Sequence, residues 1–253
     1  FPIVGTPATD WTKFSVDFRA PANTVRGQLL VLSAKGITGT VWFDDISVRE
    51  ITHSVPVAKI AQPPVIDGQL SDACWQAAMP LKTFYHVNRE AKRAKNLTTA
   101  WLAYDDTALY IAFRNQDTMQ HLKADVTERD GALWTNDCNE IFIQAPDGQA
   151  RQFITNAVAA RWDGRLFQRV PGDPWRADAK WNAQWQAAAS QGTDHWIVEI
   201  AIPWRNFGSG PGQTWRVNLA RERHGAAKEL LHWNQFEGSF NNVDKFGYLA
   251  FRG

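Results

Sequence analysis

Short stretches in which apolar and polar residues alternate recur along almost the whole chain. Residues 195–202 show this most clearly, because Trp196, Val198 and Ile200 fall on one side of an extended chain and Glu199 on the other. A period of two over such a stretch predicts a β-strand with one buried face. The same pattern, or a short apolar run, predicts strands at residues 14–18, 28–32, 40–48, 99–104, 108–113, 140–144, 152–158, 185–189, 215–221 and 247–251.

Turn signals separate these strands. Asp105-Asp106-Thr107 and Pro146-Asp147-Gly148 predict hairpins, and Trp162-Asp163-Gly164 predicts another turn. Residues 71–79 are the best helix candidate, since Pro80 would end a helix there. Many short strands with little helix predict an all-β fold, an antiparallel, jelly-roll-like β-sandwich with one short helix.

A domain boundary is expected between residues 50 and 65. Val55-Pro56 and Gln62-Pro63-Pro64 indicate extended, linker-like chain. We therefore divide the chain into a partial N-terminal β-sandwich segment (residues 1–54), a linker (55–62) and a main sandwich (63–253).

The charge balance argues against nucleic acid as the main partner. The chain has 27 Lys and Arg against 26 Asp and Glu, so it has no positive excess for neutralising phosphates. Its most apolar stretches, such as residues 196–202, are far shorter than the roughly 20 residues of a membrane-spanning helix. Cys74 and Cys138 are too few for a disulfide-dense scaffold; one disulfide and two buried thiols both remain open.

Sequence motifs of catalysis are missing. The chain has no Gly-x-Ser-x-Gly, no phosphate-binding loop and no His-Glu-x-x-His, and its six histidines show no i, i+4 pairing. Glycosidases need two carboxyl groups placed across a sugar. The candidate acidic pairs have no spacing that identifies a catalytic site: Asp44/Asp45, Asp105/Asp106, Asp137/Glu140 and Glu222/Glu237. We expect a protein that is not an enzyme.

Acidic residues concentrate in one irregular segment between residues 117 and 137. Calcium binds six to eight oxygen ligands, many of them carboxylates, so this segment is a candidate calcium site. The spacing does not match an EF-hand, and a solvated loop is an equally good interpretation. The acidic residues are Asp117, Asp125, Glu128, Asp130 and Asp137.

Tryptophan is unusually abundant, with 13 residues in 253. Most lie in apolar patterns typical of a core, but Trp134 lies in a polar segment outside a predicted strand. Phe236 and Phe240 lie in a similarly polar run. An exposed aromatic ring offers a flat apolar surface for the C–H face of a sugar, whereas a buried one would pack between domains. We favour a ligand platform at Trp134.

Five segments, in order, resemble the family 9 carbohydrate-binding modules and their wider relatives. One of them has a Trp, an Asp three residues later and a Glu six residues later. The segments are residues 64–75 (PVIDGQLSDACW), 101–111 (WLAYDDTALYI), 134–143 (WTNDCNEIFI), 196–204 (WIVEIAIPW) and 245–249 (KFGYL).

This resemblance implies a β-sandwich that binds a sugar between two aromatic side chains without cleaving it. Trp134 matches the first aromatic, Phe240 the second, and Glu140 and Asn156 match residues that bind hydroxyl groups. The chain departs from the family at Ile154, where the family has Arg, and at Ala220, near which it has Gln. Arg221 is the candidate replacement donor. The sugar specificity of the best-known members is therefore not carried over.

The resemblance also implies a structural calcium ion, with Asp117 matching a family ligand and Asp130 a further candidate in the same segment. Residues 39–48 (GTVWFDDISV) resemble the last strand of galactose-binding-like jelly rolls, in which such an Asp pair often binds calcium, so Asp44 is another candidate. Such modules are typical of secreted polysaccharide-degrading proteins, which implies an extracellular or periplasmic bacterial location and a catalytic domain elsewhere.

Two alternatives stay open at this stage. Related sandwiches bind haem through a Met and a His, which here would depend on Met119 because Met79 lies in the predicted helix. In the other, the chain is a structural segment of a larger hydrolase or lyase, with Trp134 buried against residues 1–50.

Overall fold

The computed structural model describes residues 53–87, 94, 96–212, 214–225, 227–234, 236 and 238–252. They belong to a compact unit that comprises Glu50–Gly253. The strands predicted before residue 50, and Asp44, lie outside the described residues. The partial N-terminal segment therefore stays a prediction.

The described residues form strands joined by short turns, with one α-helix. The predicted all-β class with a short helix is confirmed. No helix in this part of the chain has the length and apolarity that crossing a membrane would require. The strands and the helix are β1 (Ser54–Lys59), α1 (Ala73–Ala77), β2 (Tyr85–His86), β3 (Thr98–Tyr104), β4 (Ala108–Gln116), β5 (Cys138–Gln144), β6 (Ala150–Asn156), β7 (Arg161–Phe167), β8 (Arg176–Asp178), β9 (Gln186–Gln191), β10 (His195–Pro203), β11 (Trp215–Arg223), β12 (Glu229–His232) and β13 (Gly247–Arg252).

The strands follow one curled sheet in the order β8-β7-β6-β5-β11-β13-β1-β3-β4-β10-β9, with β12 beside β11 and β2 beside β12. The curl brings the two halves together over one core. Ile141 of β5 and Phe153 of β6 belong to the same buried cluster as Leu102 of β3, Ile111 of β4 and Val198 of β10. Alternating apolar positions from both halves thus fill the space between two layers, as in a β-sandwich.

The linker predicted at residues 55–62 is wrong over its first part, which is strand β1. Val55 and Val57 are fully buried, and β1 runs parallel to both β13 and β3, so the sheet is mixed rather than purely antiparallel. Pro56 is tolerated because pairing with β3 begins only at Ala58. A proline, which has no N–H to donate, fits where one edge of a strand is unpaired.

The turn predicted at Trp162-Asp163-Gly164 is also wrong, because these residues lie inside β7. Gly164 serves close packing there. A Cβ atom at Gly164 would lie 2.8 Å from Cη2 of Trp162 and 3.1 Å from the carbonyl oxygen of Asp178. The glycine lets the Trp162 ring lie across its own strand.

Helix α1 connects the start of the unit to the β10 layer through a buried carboxylate. Trp75 Nε1 donates to Glu199 Oε1 at 2.6 Å, and the backbone N–H of Gly68 donates to Glu199 Oε2 at 2.8 Å. Cys74 and Cys138 are both free and buried, in separate clusters. Of the two possibilities left open for them, the structure has the thiols.

Strands β12, β11, β5, β6 and β7 present one face away from the core, which we call the outer face. Its central row follows the strand register, in which paired residues point the same way. The row runs Trp162, Ile154, Glu140, Ala220, His232. Glu140, a candidate from the sequence, thus lies at the centre of this face.

Candidate functional site

Trp134 stands on a short 3-10 turn, Leu133–Thr135, that is anchored at both ends. Leu133 is fully buried beneath the turn. Asn136 Oδ1 accepts a hydrogen bond from Val126 N at 3.0 Å, and Asp137 Oδ1 accepts one from His224 N at 2.7 Å. Because buried Leu133 fixes the start of the turn and the buried side chains of Asn136 and Asp137 hold the chain after it, the turn presents Trp134 in a defined position.

Asn156 helps to hold this turn and is not free for a ligand, which corrects the prediction. Its Nδ2 donates to Val126 O at 2.7 Å and to Asn136 Oδ1 at 3.0 Å. Its Oδ1 accepts from Ala160 N at 3.0 Å and from Val158 N at 3.3 Å. Asn156 is fully buried and both ends of its amide are used, so it positions the Trp134 turn.

The ring of Trp134 is 46% exposed, which agrees with the predicted platform. It meets Trp162 edge to face, with ring centroids 5.9 Å apart at 87°. Phe240, the predicted second aromatic, is only 9% exposed and packs on Phe142 and His232. Its place as an exposed clamp is wrong in this structure, because its neighbours on the outer face enclose it.

The two aromatic groups stand at opposite ends of the outer face. Trp134 covers Trp162 at one end of the central row, and Phe240 covers His232 at the other. Four strand-to-strand steps separate the ends, roughly 19 Å at about 4.8 Å per step. Burial lowers the pKa of His232 to about 4, so that end is neutral near pH 7. Ile154, Glu140 and Ala220 form the floor between the ends.

Four polar side chains cross this floor, and we call them the polar row: Gln152, Glu140, Glu222 and His224. Gln152 Nε2 donates to Glu140 Oε2 at 2.7 Å. Glu140 is hydrogen bonded to Glu222, and His224 Nε2 lies 2.7 Å from Glu222 Oε2. The side chains of Glu222 and His224 keep 13% and 15% of their surface exposed. The row therefore offers donors and acceptors on the same face as Trp162, on which Trp134 packs.

Burial raises the pKa of Glu140 well above the usual glutamate value of 4.5, and the charge of Glu222 raises it further. Two carboxyl groups in contact are stable when one proton lies between them, because two negative charges at this distance repel. We interpret the centre of the polar row as a carboxyl pair that shares a proton.

The shared proton predicts how stability depends on pH. Because the folded state raises the pKa of Glu140, its contribution is complete below pH 4.5 and is lost as the pH rises through the folded value. Glu140→Gln keeps a donor toward Glu222 but does not titrate. We expect the variant to lose less unfolding free energy than wild type as the pH rises above 4.5, as measured by urea denaturation.

The matched control is Glu128→Gln, which changes an exposed glutamate and should reproduce the wild-type pH profile. Parallel profiles for Glu140→Gln and wild type would contradict a shared proton.

Arg221 does not lie on the outer face, so its predicted role as a replacement donor is wrong. It is fully buried on the core side of β11. Its Nη2 lies 2.7 Å from Asp117 Oδ2, while Arg223 Nε lies 2.8 Å from Asp117 Oδ1. Both carboxylate oxygens of Asp117 therefore bind arginines, and Asp117 is a buried counter-ion rather than the predicted calcium ligand.

The other calcium candidates do not converge. Asp130 is exposed and lies 3.5 Å from Arg129 Nε, and Asp137 uses its oxygens on backbone N–H groups. Among the residues that the structure describes, no group of three or more His, Cys, Asp or Glu side chains is placed to hold a metal ion. Met119, on which haem binding depends, packs against the core.

Gln152, Glu222 and His224 were not expected at the site from the sequence. The signal for Glu222 was its alternation within β11, which puts Arg221 and Glu222 on opposite faces. The contact between Glu140 and Glu222 depends on the register of β5 and β11, in which Glu140 pairs with Ala220 and Cys138 with Glu222. That register is not visible in one sequence.

Comparison with known proteins agrees with this architecture. The family model described as "Carbohydrate family 9 binding domain-like" matches residues 66–253. A search of curated proteins finds no match.

Solved structures with the same fold include a candidate carbohydrate-binding protein from Bacteroides uniformis. It has 14% identity and a TM-score of 0.63, covering 80% of this chain and 100% of that one.

A family 9 carbohydrate-binding module from Caldicellulosiruptor kristjanssonii in complex with cellotriose has 15% identity and a TM-score of 0.57, over 79% and 94% of the two chains. The module from that organism in complex with glucose has 16% identity and a TM-score of 0.56, over 79% and 96%. At these identities the structures show the shared fold, and the family model shows the family. The chain belongs to the carbohydrate family 9 binding domain-like family.

Proposed function

We propose that this chain binds carbohydrate on its outer face and does not cleave it. The observation that carries the proposal is the half-exposed ring of Trp134 on the same face as the polar row. The C–H face of a sugar ring stacks on an indole, while amide, carboxyl and imidazole groups bind its hydroxyls. Both parts of such a site lie on one surface here.

The geometry of the carboxyl pair favours binding over hydrolysis. Glycosidases place two carboxyl groups roughly 5 to 9.5 Å apart, with the glycosidic bond between them. Glu140 and Glu222 are hydrogen bonded to each other, which leaves no room for a sugar bond between them. The pair is arranged to present hydroxyl-binding groups from the floor of the site.

Family membership supports the proposal, and two solved members of the fold hold cellotriose and glucose. We propose a plant or microbial polysaccharide, or its chain ends, as the ligand. The chain would act as an accessory module of a secreted, extracellular or periplasmic polysaccharide-degrading protein with a separate catalytic domain. A structural calcium ion stays part of this proposal, with ligands other than Asp117.

A glycan array tests the proposal directly. The purified chain is applied to immobilised plant and microbial oligosaccharides, once with calcium and once with EDTA. We expect retention on a defined set of saccharides, and a calcium requirement would appear as loss with EDTA. Retention on no saccharide under either condition would contradict carbohydrate binding.

A further inference from the structure

A second concave site lies away from the outer face. It is a cleft of about 800 Å³ whose polar lining includes Arg129, Arg161, Arg205, Gln184 and Gln186. None of its lining residues belongs to the polar row or is Trp134. The site described above therefore does not account for this cleft.

Two of the three arginines of the cleft bind one short segment, residues 183–185. Arg129 Nη2 donates to Ala183 O at 3.2 Å, and Arg161 Nη1 donates to Trp185 O. Asn206, the residue after Arg205, holds Gln184 from both sides. Its Oδ1 accepts from Gln184 N at 3.1 Å and its Nδ2 donates to Gln184 O at 2.9 Å. Arg129 and Arg161 thus both bind this segment, and Arg205 lines the same cleft.

The charge of the cleft is only partly neutralised. Arg129 lies 2.6 Å from the buried carboxylate of Asp163 and 3.5 Å from Asp130. Among the described residues, no carboxylate oxygen comes within 4.0 Å of Arg161 or Arg205. Arg161 lies instead over the Trp185 ring, 5.8 Å from its centroid. Two positive charges therefore face the cleft without a counter-ion.

We propose that this cleft binds the carboxylate of an acidic saccharide, a uronic acid residue. Guanidinium groups bind planar carboxylates with two parallel hydrogen bonds. The exposed side chains of Gln184 and Gln186 supply donors and acceptors for ring hydroxyls, and Pro63 and Ile66 give an apolar wall for the sugar's C–H face. The combination fits a sugar that carries a negative charge.

The test is calorimetric titration of the full chain with α-1,4-linked trigalacturonate. Arg205→Ala changes an exposed side chain and should weaken binding about tenfold or more, the usual effect of losing a hydrogen bond to a charged group. Arg161→Gln should weaken it as well. Arg176→Ala removes the same charge from an exposed position on β8 outside the cleft and should leave the affinity unchanged.

Two further probes separate the sources of the anion. The methyl ester of trigalacturonate has no charge and should bind at least about tenfold more weakly to wild type. Inorganic sulfate should also be the weaker ligand, because it offers the cleft no sugar ring. The proposal would be overturned if wild type bound the ester or sulfate as tightly as trigalacturonate, or did not bind trigalacturonate at all. It would also be overturned if folded Arg205→Ala and Arg161→Gln bound trigalacturonate with wild-type affinity.

The Trp134→Ala variant distinguishes failure of the cleft proposal from failure of the outer-face proposal. Trp134→Ala should leave trigalacturonate binding in the cleft intact. Loss of that binding in Trp134→Ala, with the fold intact, would mean that the acidic saccharide occupies the outer face and would overturn the second site.

Discussion

Asp117→Ala is expected to lower the free energy of unfolding by about 3–5 kcal/mol, the usual cost of leaving a buried charge without its partner. The carboxylate bridges Arg221 and Arg223 at 2.7 and 2.8 Å. Both guanidinium groups are nearly or fully buried, so water cannot replace the missing charge. Arg221 also binds Gln116 O at 2.9 Å, which joins β4 to β11 across the core.

Urea denaturation of the full chain measures this effect. Asp117→Asn, which keeps the shape but removes the charge, serves as a milder second variant if Asp117→Ala does not fold. Glu128→Ala is the control, since this exposed side chain belongs to the same acidic segment and should change stability by no more than about 0.5 kcal/mol. The loss in Asp117→Ala should be equal in calcium and in EDTA. A loss that appears only in calcium would return Asp117 to the role of a calcium ligand.

Most strands could be predicted because their hydrophobic periods are regular. Residues 108–113 and 195–202 fall within β4 and β10, and Pro146-Asp147-Gly148 lies in the β5–β6 turn. β1 could not be predicted, because its proline favours a linker when the chain is considered alone. The strand pairing explains why Pro56 fits. β1 pairs with β13 along most of its length but with β3 only from Ala58 onward.

The candidate site could be predicted in part. Trp134 is predicted as a platform because it lies in a polar segment outside a predicted strand, and its ring is 46% exposed. Arg221 was misplaced by one residue, and a shift of one residue along a strand moves a side chain to the other face. Glu222, its neighbour, is the residue on the outer face.

The resemblance implies four site residues, and the structure gives two of them, Asn156 and Phe240, other contacts. Glu140 lies in the polar row as implied, yet the amide of Asn156 is fully used in holding the Trp134 turn. Phe240 lies on the outer face but packs on Phe142 with centroids 6.4 Å apart. Whether a side chain on a given face reaches solvent depends on the loops that cover it, and these loops carry little periodic signal.

Trp134→Ala should weaken saccharide binding at least about 30-fold, which corresponds to roughly 2 kcal/mol for the central aromatic residue of a binding site. The substitution removes the stacking surface and leaves the polar row in place. Its effect on stability should be small, no more than about 1.5 kcal/mol, because the ring's described aromatic contact is one edge-to-face pair with Trp162.

Phe167→Ala is the matched control for this change. Phe167 is 40% exposed, close to the 46% of Trp134. It lies on β7, the strand of Trp162, but at a position whose side chain points to the opposite face. Phe167→Ala therefore tests whether removing an exposed aromatic ring from the other face of β7 also weakens binding.

The most direct measurement is calorimetric titration of wild type, Trp134→Ala and Phe167→Ala with a neutral saccharide retained on the glycan array. The account predicts that Trp134→Ala loses affinity at least about 30-fold, while Phe167→Ala binds as wild type does and all three unfold cooperatively. Wild-type affinity in a folded Trp134→Ala chain would contradict carbohydrate binding on the outer face.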